Sequence, residues 1–375
     1  MNHKSNFILG RREVLRSILF MAGSAVGNCW VSAAGMVKVG SHEDDLFAGP
    51  VDCLSALRSD VIFQGDATTA YRDPAAVYCN GWFYLYFTLA KIEPDEQVYL
   101  YTAWAKSRDL LSWTDVRLIT PRDRRLNFCS PGDVVRYRKN WVMCLQTYPR
   151  PNGEKYGNED CRIWTMRSHD LEHWEKPALL RVKGKSVPIG AMGRMIDPYL
   201  LQDKDIPNKW WCFYKQNGIS ISWSLDLKVW NFRGSIDAGE NPAIIVDRNE
   251  YVLFHSPDNG IGVKRSADLI TWRDEGVLTL GQNGWPWAKG RLTAGFVLDL
   301  RRVPEVGKAL MFFHGSAYPE DDPRGGFDNF CSIGIAWSNN LKDWEWPTSR
   351  DSKKMNGQNT SGDGLVKSGP RPALS

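Results

Sequence analysis

Short apolar runs broken by polar turns fill the chain from about residue 70 to 345, and none repeats its apolar residues at helical spacing. Ala75 to Tyr78, then Asn80-Gly81 as a hairpin turn, then Trp82 to Thr88 and Val98 to Ala105 read as three successive strands. The same text returns as Pro198 to Leu201, Trp210 to Lys215 and Ile219 to Trp223, and again as Ala243 to Val246, Tyr251 to His255 and Gly260 to Lys264. A polar motif closes each group. It is Ser107-Arg-Asp-Leu-Leu-Ser-Trp113, Ser168-His-Asp-Leu-Glu-His-Trp174, Ser224-Leu-Asp-Leu-Lys-Val-Trp230, Ser266-Ala-Asp-Leu-Ile-Thr-Trp272 and Ser338-Asn-Asn-Leu-Lys-Asp-Trp344. In this pattern Ser and Asp side chains bond backbone N–H groups in a tight turn, and Leu and Trp plug the space beneath it. Short strands in repeated units, each unable to bury its own face, stack radially. Five units predict an all-β chain, a five-bladed β-propeller with a central axial active site.

The flanks read differently. Gly10-Arg11-Arg12-Glu13-Val14-Leu15-Arg16 precedes a weakly apolar run from Ile18 to Val26, and Val31-Ser32-Ala33-Ala34 follows as a small-residue cleavage site. Charged, apolar and small segments in that order predict a signal peptide over 1–34, and the Arg pair is like a twin-arginine signal. Export to the periplasm or the outside follows as an expectation. The apolar run is too short to span a bilayer comfortably, so stable membrane insertion is not expected. Residues 35–60 are expected to pack on the propeller or help close it, 61–350 to form the propeller, and 351–375, rich in Gly, Ser, Asn and Lys, to form a mobile tail. The Cys residues show no C-x-x-C pair, which argues against a zinc or redox motif, and Cys79, Cys144 and Cys212 read as small apolar strand residues. A net charge of +4, from 47 basic and 43 acidic residues, asks for no nucleic acid. The 17 Trp, 13 Tyr and 15 Phe suit strands, and they also suit stacking on sugar rings.

In a propeller the first residues of each innermost strand converge on the axis. These starts are Tyr71-Arg72-Asp73-Pro74, Ser130-Pro131-Gly132-Asp133, Met195-Ile196-Asp197-Pro198 and Gly239-Glu240-Asn241-Pro242. Asp-Pro also opens ordinary turns. Yet carboxylates gathered on one axis repel one another and lose solvation, so their convergence points to a ligand or to chemistry. Glycosidic cleavage needs such a set: one acid protonates the leaving oxygen while a second carboxylate activates water or attacks carbon.

The blade-start Asp, the later Asp-Pro, the Glu-x-Pro and the S-x-[DN]-L-x-x-W turns together resemble glycoside hydrolase family 43 and its five-bladed relatives, over about residues 60 to 347. The resemblance implies Asp73 as general base, Asp197 as pKa modulator and Glu240 as general acid. It implies inversion at the anomeric carbon, with the two main carboxyl groups about 6.5–9.5 Å apart. It also implies that Asp133 lines the pocket and that His314 is an axial His which in some members lies near calcium; no cofactor is otherwise required. Glu240-Asn241-Pro242 carries Asn where the family commonly has Gly. Arg72-Asp73-Pro74 is similar to family 32 as well, although that family's Asn-Asp-Pro-Asn-Gly signature is missing. The related family 117 uses a His as acid, which makes His255 the substitute should Glu240 be misassigned.

Arg72 and Arg291 are candidate sugar contacts, and Trp285 and Trp287, in the Gly-rich loop from Gly281 to Gly290, are candidates for a stacking wall at the pocket rim. The expected activity is an exo-acting glycosidase on plant or algal oligosaccharides: arabinofuranosides or xylosides first, then galactose-containing algal sugars. A carbohydrate-binding propeller without catalysis is the alternative. Lectin propellers repeat one site per blade, whereas these blade starts differ from one another. A sialidase fits less well, because its turn motif carries Gly where this chain has Leu.

Overall fold

Strand formation follows the apolar runs. The computed structural model describes residues 28–30, 37–38, 53–319 and 328–349, and these build five antiparallel sheets. Blade one is formed by Thr69–Cys79, Trp82–Ile92, Val98–Ser107 and Arg117–Leu118. Blade two carries an interrupted inner strand, Phe128–Cys129 and Val134–Tyr137, followed by Asn140–Thr147, Ile163–Ser168 and Ala178–Leu179. Blades three and four are regular four-stranded meanders, Ile196–Gln202 to Asn231–Ile236 and Glu240–Asp247 to Arg273–Leu278. Blade five comprises Arg291–Asp299, Ala309–Ser316, Ser332–Ser338 and Trp344–Glu345. The fold is the five-bladed β-propeller that the repeat predicts. Inner and second strands are buried on both faces, because each sheet is sandwiched between two neighbours. Hence they read as continuous apolar runs rather than alternating ones.

The ring is closed by residues just past the segment expected to do it. Val61–Phe63 pairs with the third strand of blade five in the register Ile333↔Phe63 and Gly334↔Val61. Asp60 adds a latch, its carboxylate accepting the Thr348 N–H at 3.0 Å and the Thr348 hydroxyl at 2.7 Å. One chain thus contributes its early and late residues to a single sheet. Cys53, Leu54 and Leu57, before the latch, are buried in the main core.

Most of the expected signal segment and the tail 351–375 lie outside the described residues. Strand Asn28–Trp30 is described and pairs with the inner strand of blade one, Cys29 opposite Cys79. Cleavage at residues 31–34 would remove that edge. Cys79 is disulfide-bonded, which corrects its reading as a free strand thiol. Cys144 and Cys212 are free and fully buried, as their apolar neighbours predict. Among the described residues no helix is long and apolar enough to cross a membrane.

The repeat motif performs one task five times. In each turn the Ser hydroxyl accepts the N–H of the Asp or Asn two residues on. That residue's Oδ1 in turn accepts the N–H groups two and three residues later, at 2.8–2.9 Å. The intervening Leu110, Leu171, Leu227, Leu269 and Leu341 all adopt left-handed φ between 57° and 70°, a conformation that costs a Leu energy and persists because five local hydrogen-bond nets impose it. All five are buried.

Candidate active site

Every inner strand is kinked at the same point. Asp73, Ser130, Asp197, Asn241 and Ala294 have φ of 47°, 49°, 51°, 51° and 53°. In blades one, three, four and five this residue sits in a β-bulge, where the register skips between Arg72 and Ala75, Ile196 and Tyr199, Glu240 and Ala243, and Thr293 and Phe296. A bulge re-aims side chains and frees one backbone N–H from the ladder. The left-handed φ also explains the Asn in Glu240-Asn241-Pro242: the position needs Gly or a residue such as Asn that tolerates this conformation.

The freed N–H groups are caught by a repeating clasp. The residue that pairs across the sheet with the one before the kink is Thr88, Gln146, Lys215, Ser256 and His314 in blades one to five. Thr88 Oγ1 accepts the Ser130 N–H of the next blade at 2.7 Å, and Gln146 Oε1 accepts that of Asp197. Ser256 Oγ accepts that of Ala294 at 2.8 Å, and His314 Nδ1 that of Asp73 at 3.1 Å. Blade three is the exception: Lys215 has no acceptor to offer, and the Asn241 N–H turns to Asp197 Oδ2 at 3.4 Å. His314 was singled out in the sequence, but Thr88, Gln146, Lys215 and Ser256 were missed because they end ordinary-looking strands. Aligning the five second strands would have exposed them.

The kinks surround a pocket lined by Arg72, Asp73, Gln146, Tyr148, Asp197, Glu240, Asn241, Arg291, Thr293 and His314, with Cys129 and Ile196. Three carboxylates therefore meet there, from blades one, three and four. Asp73 Oδ2 accepts the Thr88 hydroxyl at 2.8 Å, so the Thr that clasps blade two also orients the Asp73 carboxylate. Asp197 Oδ1 accepts the Ser130 hydroxyl at 3.1 Å. Glu240 Oε1 receives Arg291 Nη2 at 3.1 Å. Burial, with Glu240 and then Asp73 as negative neighbours, pushes the Asp197 carboxyl far up, to about 8. At neutral pH it holds a proton between two other carboxyl groups.

His314 is buried, and burial pulls its pKa down to about 3, so the ring is neutral. Its Nδ1 lone pair takes the Asp73 N–H, which places the ring proton on Nε2. His314 Nε2 and Thr293 Oγ1, paired across the sheet, are buried atoms without a partner among the described residues. Both residues line the pocket, and a ligand hydroxyl or a water would satisfy them. This geometry does not fit direct calcium coordination by His314, because its pocket-facing nitrogen presents a proton and calcium takes oxygen ligands.

Asp73, Asp197, Glu240, Arg72, Arg291 and His314 stand together as expected. Asp133, His255, Trp285 and Trp287 do not. Asp133 lies beyond the kink, fully buried, with Oδ1 accepting its neighbour's N–H from Val134 at 2.7 Å; blade two presents Cys129 and Ser130 to the axis instead. His255 is buried away from the pocket, and its Nδ1 accepts the Gly239 N–H at 3.0 Å, bracing the residue before Glu240. Burial pulls the His255 pKa down to about 4. Trp285 is only 4% exposed and stacks on Phe313 at 5.6 Å and Trp287 at 5.3 Å. Trp287 lies against Gly315 and Gly334, where a Cβ would meet its ring at 2.9 Å and 2.6 Å. The two indoles are therefore core between blade five and its closing segment, not a rim wall.

No family model and no curated protein matches the chain. Solved structures do. A family 117 glycoside hydrolase from the marine bacterium Zobellia galactanivorans superimposes with a TM-score of 0.54 at 15% identity, covering 77% of this chain and 93% of that one. The RS223 β-xylosidase gives 0.51 at 13% identity over 72% and 93% of the two chains. A thermostable family 43 glycoside hydrolase gives 0.50 at 14% identity over 81% and 96%. At such identities the likeness is one of fold: this chain has the five-bladed propeller architecture that those glycosidases share.

Proposed function

We propose that the chain is a glycoside hydrolase that inverts configuration and releases sugars from the ends of plant or algal oligosaccharides. The observation that carries this reading is the meeting of three carboxyl groups from three separate blades in one pocket, where burial and the other two raise the Asp197 carboxyl. Asp73, oriented by Thr88, takes a proton from water as the oxygen attacks the anomeric carbon. Glu240 gives its proton to the departing glycosidic oxygen as the carbon–oxygen bond breaks, and Arg291 fixes that carboxyl in position. Asp197 keeps a proton while Asp73 and Glu240 are negative and yields it to Glu240 before the glycosidic oxygen departs; it also holds the Asn241 backbone beside Glu240. Thr293 and the His314 Nε2–H receive hydroxyl groups of the bound ring. A site on the axis, walled by residues of all five blades, favours attack at a chain end.

Arabinofuranosides and xylosides are the first substrates to try, with galactose-containing algal sugars next. The reading needs no cofactor, and export rests on the Arg11-Arg12 segment and its apolar run. The test is hydrolysis of a panel of aryl glycosides and oligosaccharides by the full chain, with the fresh product's anomer read by proton NMR. Release of one sugar with inverted configuration supports the reading. Binding of sugars without any hydrolysis replaces it with a non-catalytic carbohydrate-binding propeller.

A further inference from the structure

Lys215 breaks the clasp in blade three, and what it leaves behind is an unmatched cation between blades three and four. The equivalent residues of the other four blades each reach the next blade's kink with an acceptor atom. Lys215 occupies the same register, opposite Ile196, so its side chain takes the direction that in the other blades leads to the next blade's kink. An ammonium can only donate, so it cannot hold the Asn241 N–H.

Two observations place its charge in the gap between blades three and four. Ser256 reaches blade five, so strand alternation turns its neighbour His255 toward blade three. The charges that act on the His255 ring are those of Lys264, Asp274, the exposed Asp237 and, last, Lys215. Arg291, Arg150 and Lys264, by contrast, are matched by Glu240, Asp328 and Asp274. Lys215 is half-buried and, among the described residues, forms no ion pair or hydrogen bond. A cation held partly out of water with no carboxylate against it is a poor structural choice and a good receptor for an anion.

Glu240 must lie next to the glycosidic oxygen, so the leaving-group residue projects over its side of the pocket, the rim between blades three and four. Building on the glycosidase reading, we infer that Lys215 selects substrates whose leaving-group residue carries an anionic substituent, a carboxylate or a sulfate ester.

The test uses the full chain and aryl glycosides of whichever sugar the wild type cleaves best. Leaving groups are compared in isosteric pairs, 4-carboxyphenyl against 4-carbamoylphenyl and 4-sulfophenyl against 4-sulfamoylphenyl. Lys215→Met is expected to lower the anionic-to-neutral ratio of kcat/KM by about tenfold or more through KM, with Lys215→Arg retaining most of it. The pair that responds more strongly identifies the substituent. A Lys215→Met variant that melts like wild type, cleaves the neutral glycosides and leaves both ratios unchanged overturns the inference while the glycosidase reading stands. Failure of the wild type to cleave any glycoside overturns both.

Discussion

The S-x-[DN]-L-x-x-W turns and the axial kinks are both five-fold repeats, yet they are built on opposite rules. The turns repeat backbone and side chains alike: the same Ser, the same Asp or Asn, the same left-handed Leu. The kinks repeat the backbone, φ of 47° to 53°, while their side chains vary: Asp in blades one and three, Ser in two, Asn in four and Ala in five. Uniform side chains on a repeated backbone mark a structural device, since each blade has the same hydrogen bonds to satisfy. Varied side chains on a repeated backbone mark a site, since one ligand on the axis meets five walls and needs something different from each. Lys215, the one clasp residue unable to clasp, stands where Asp197 and the Asn241 backbone have joined instead.

The largest effect expected away from the axis is at Trp285. Its burial against Phe313, Trp287 and Trp346 means that Trp285→Ala should cost about 3–5 kcal/mol in denaturant unfolding, with KM unchanged in the protein that remains folded. A large rise in KM at unaltered stability would restore the indole to the substrate site.

Asp197 should make stability depend on pH. Its pKa is near 8 folded against 3.8 unfolded, so the folded state holds the extra proton and stability falls as pH rises through that window. The slope contributed is at most about 1.4 kcal/mol per pH unit, and Asp197→Asn should remove it. His255 and His314 act oppositely. Their pKa values of about 4 and about 3 lie below the ordinary 6.5, so stability is lost as pH falls below that value. Chemical denaturation from pH 4 to 9 reads both limbs, and an unchanged alkaline limb in Asp197→Asn would contradict the stored proton.

Breaking one turn should do less. Ser168→Ala removes the acceptor for the Asp170 and Leu171 N–H groups and should cost about 1 kcal/mol, with kcat/KM unaltered. The smallest effect is expected at Ala294, whose φ of 53° suits Gly better than Ala. Ala294→Gly should stabilise by about 0.5–1 kcal/mol, measured as a small rise in Tm, and a loss would mean that the kink carries little strain.

Much of this was legible in the sequence because the turn motif is short, local and repeated, and because Asp-Pro and Glu-x-Pro mark the kinks in three blades. Pro at the following position is itself part of the signal: it fixes φ and removes an N–H that the bulge leaves without a ladder partner. What could not be read depends on contacts remote in the chain. Asp133 looked axial because it is near Pro131, but it follows the kink rather than occupying it. Trp285 and Trp287 looked exposed beside Gly281, Gly284 and Gly290, whereas the glycines that matter to Trp287 are Gly315 and Gly334, on other strands of blade five. Thr88 and Gln146 become visible only when each blade's second strand is laid beside the next blade's kink.

The central claim, that the varied axial carboxyl groups form one catalytic centre, is tested most directly by kcat/KM of Asp73→Asn and Glu240→Gln on the glycoside that the wild type cleaves. The account predicts losses of about 10²–10⁴-fold in each at an unchanged Tm. Hydrolysis persisting within a few-fold of wild type in either variant would contradict it.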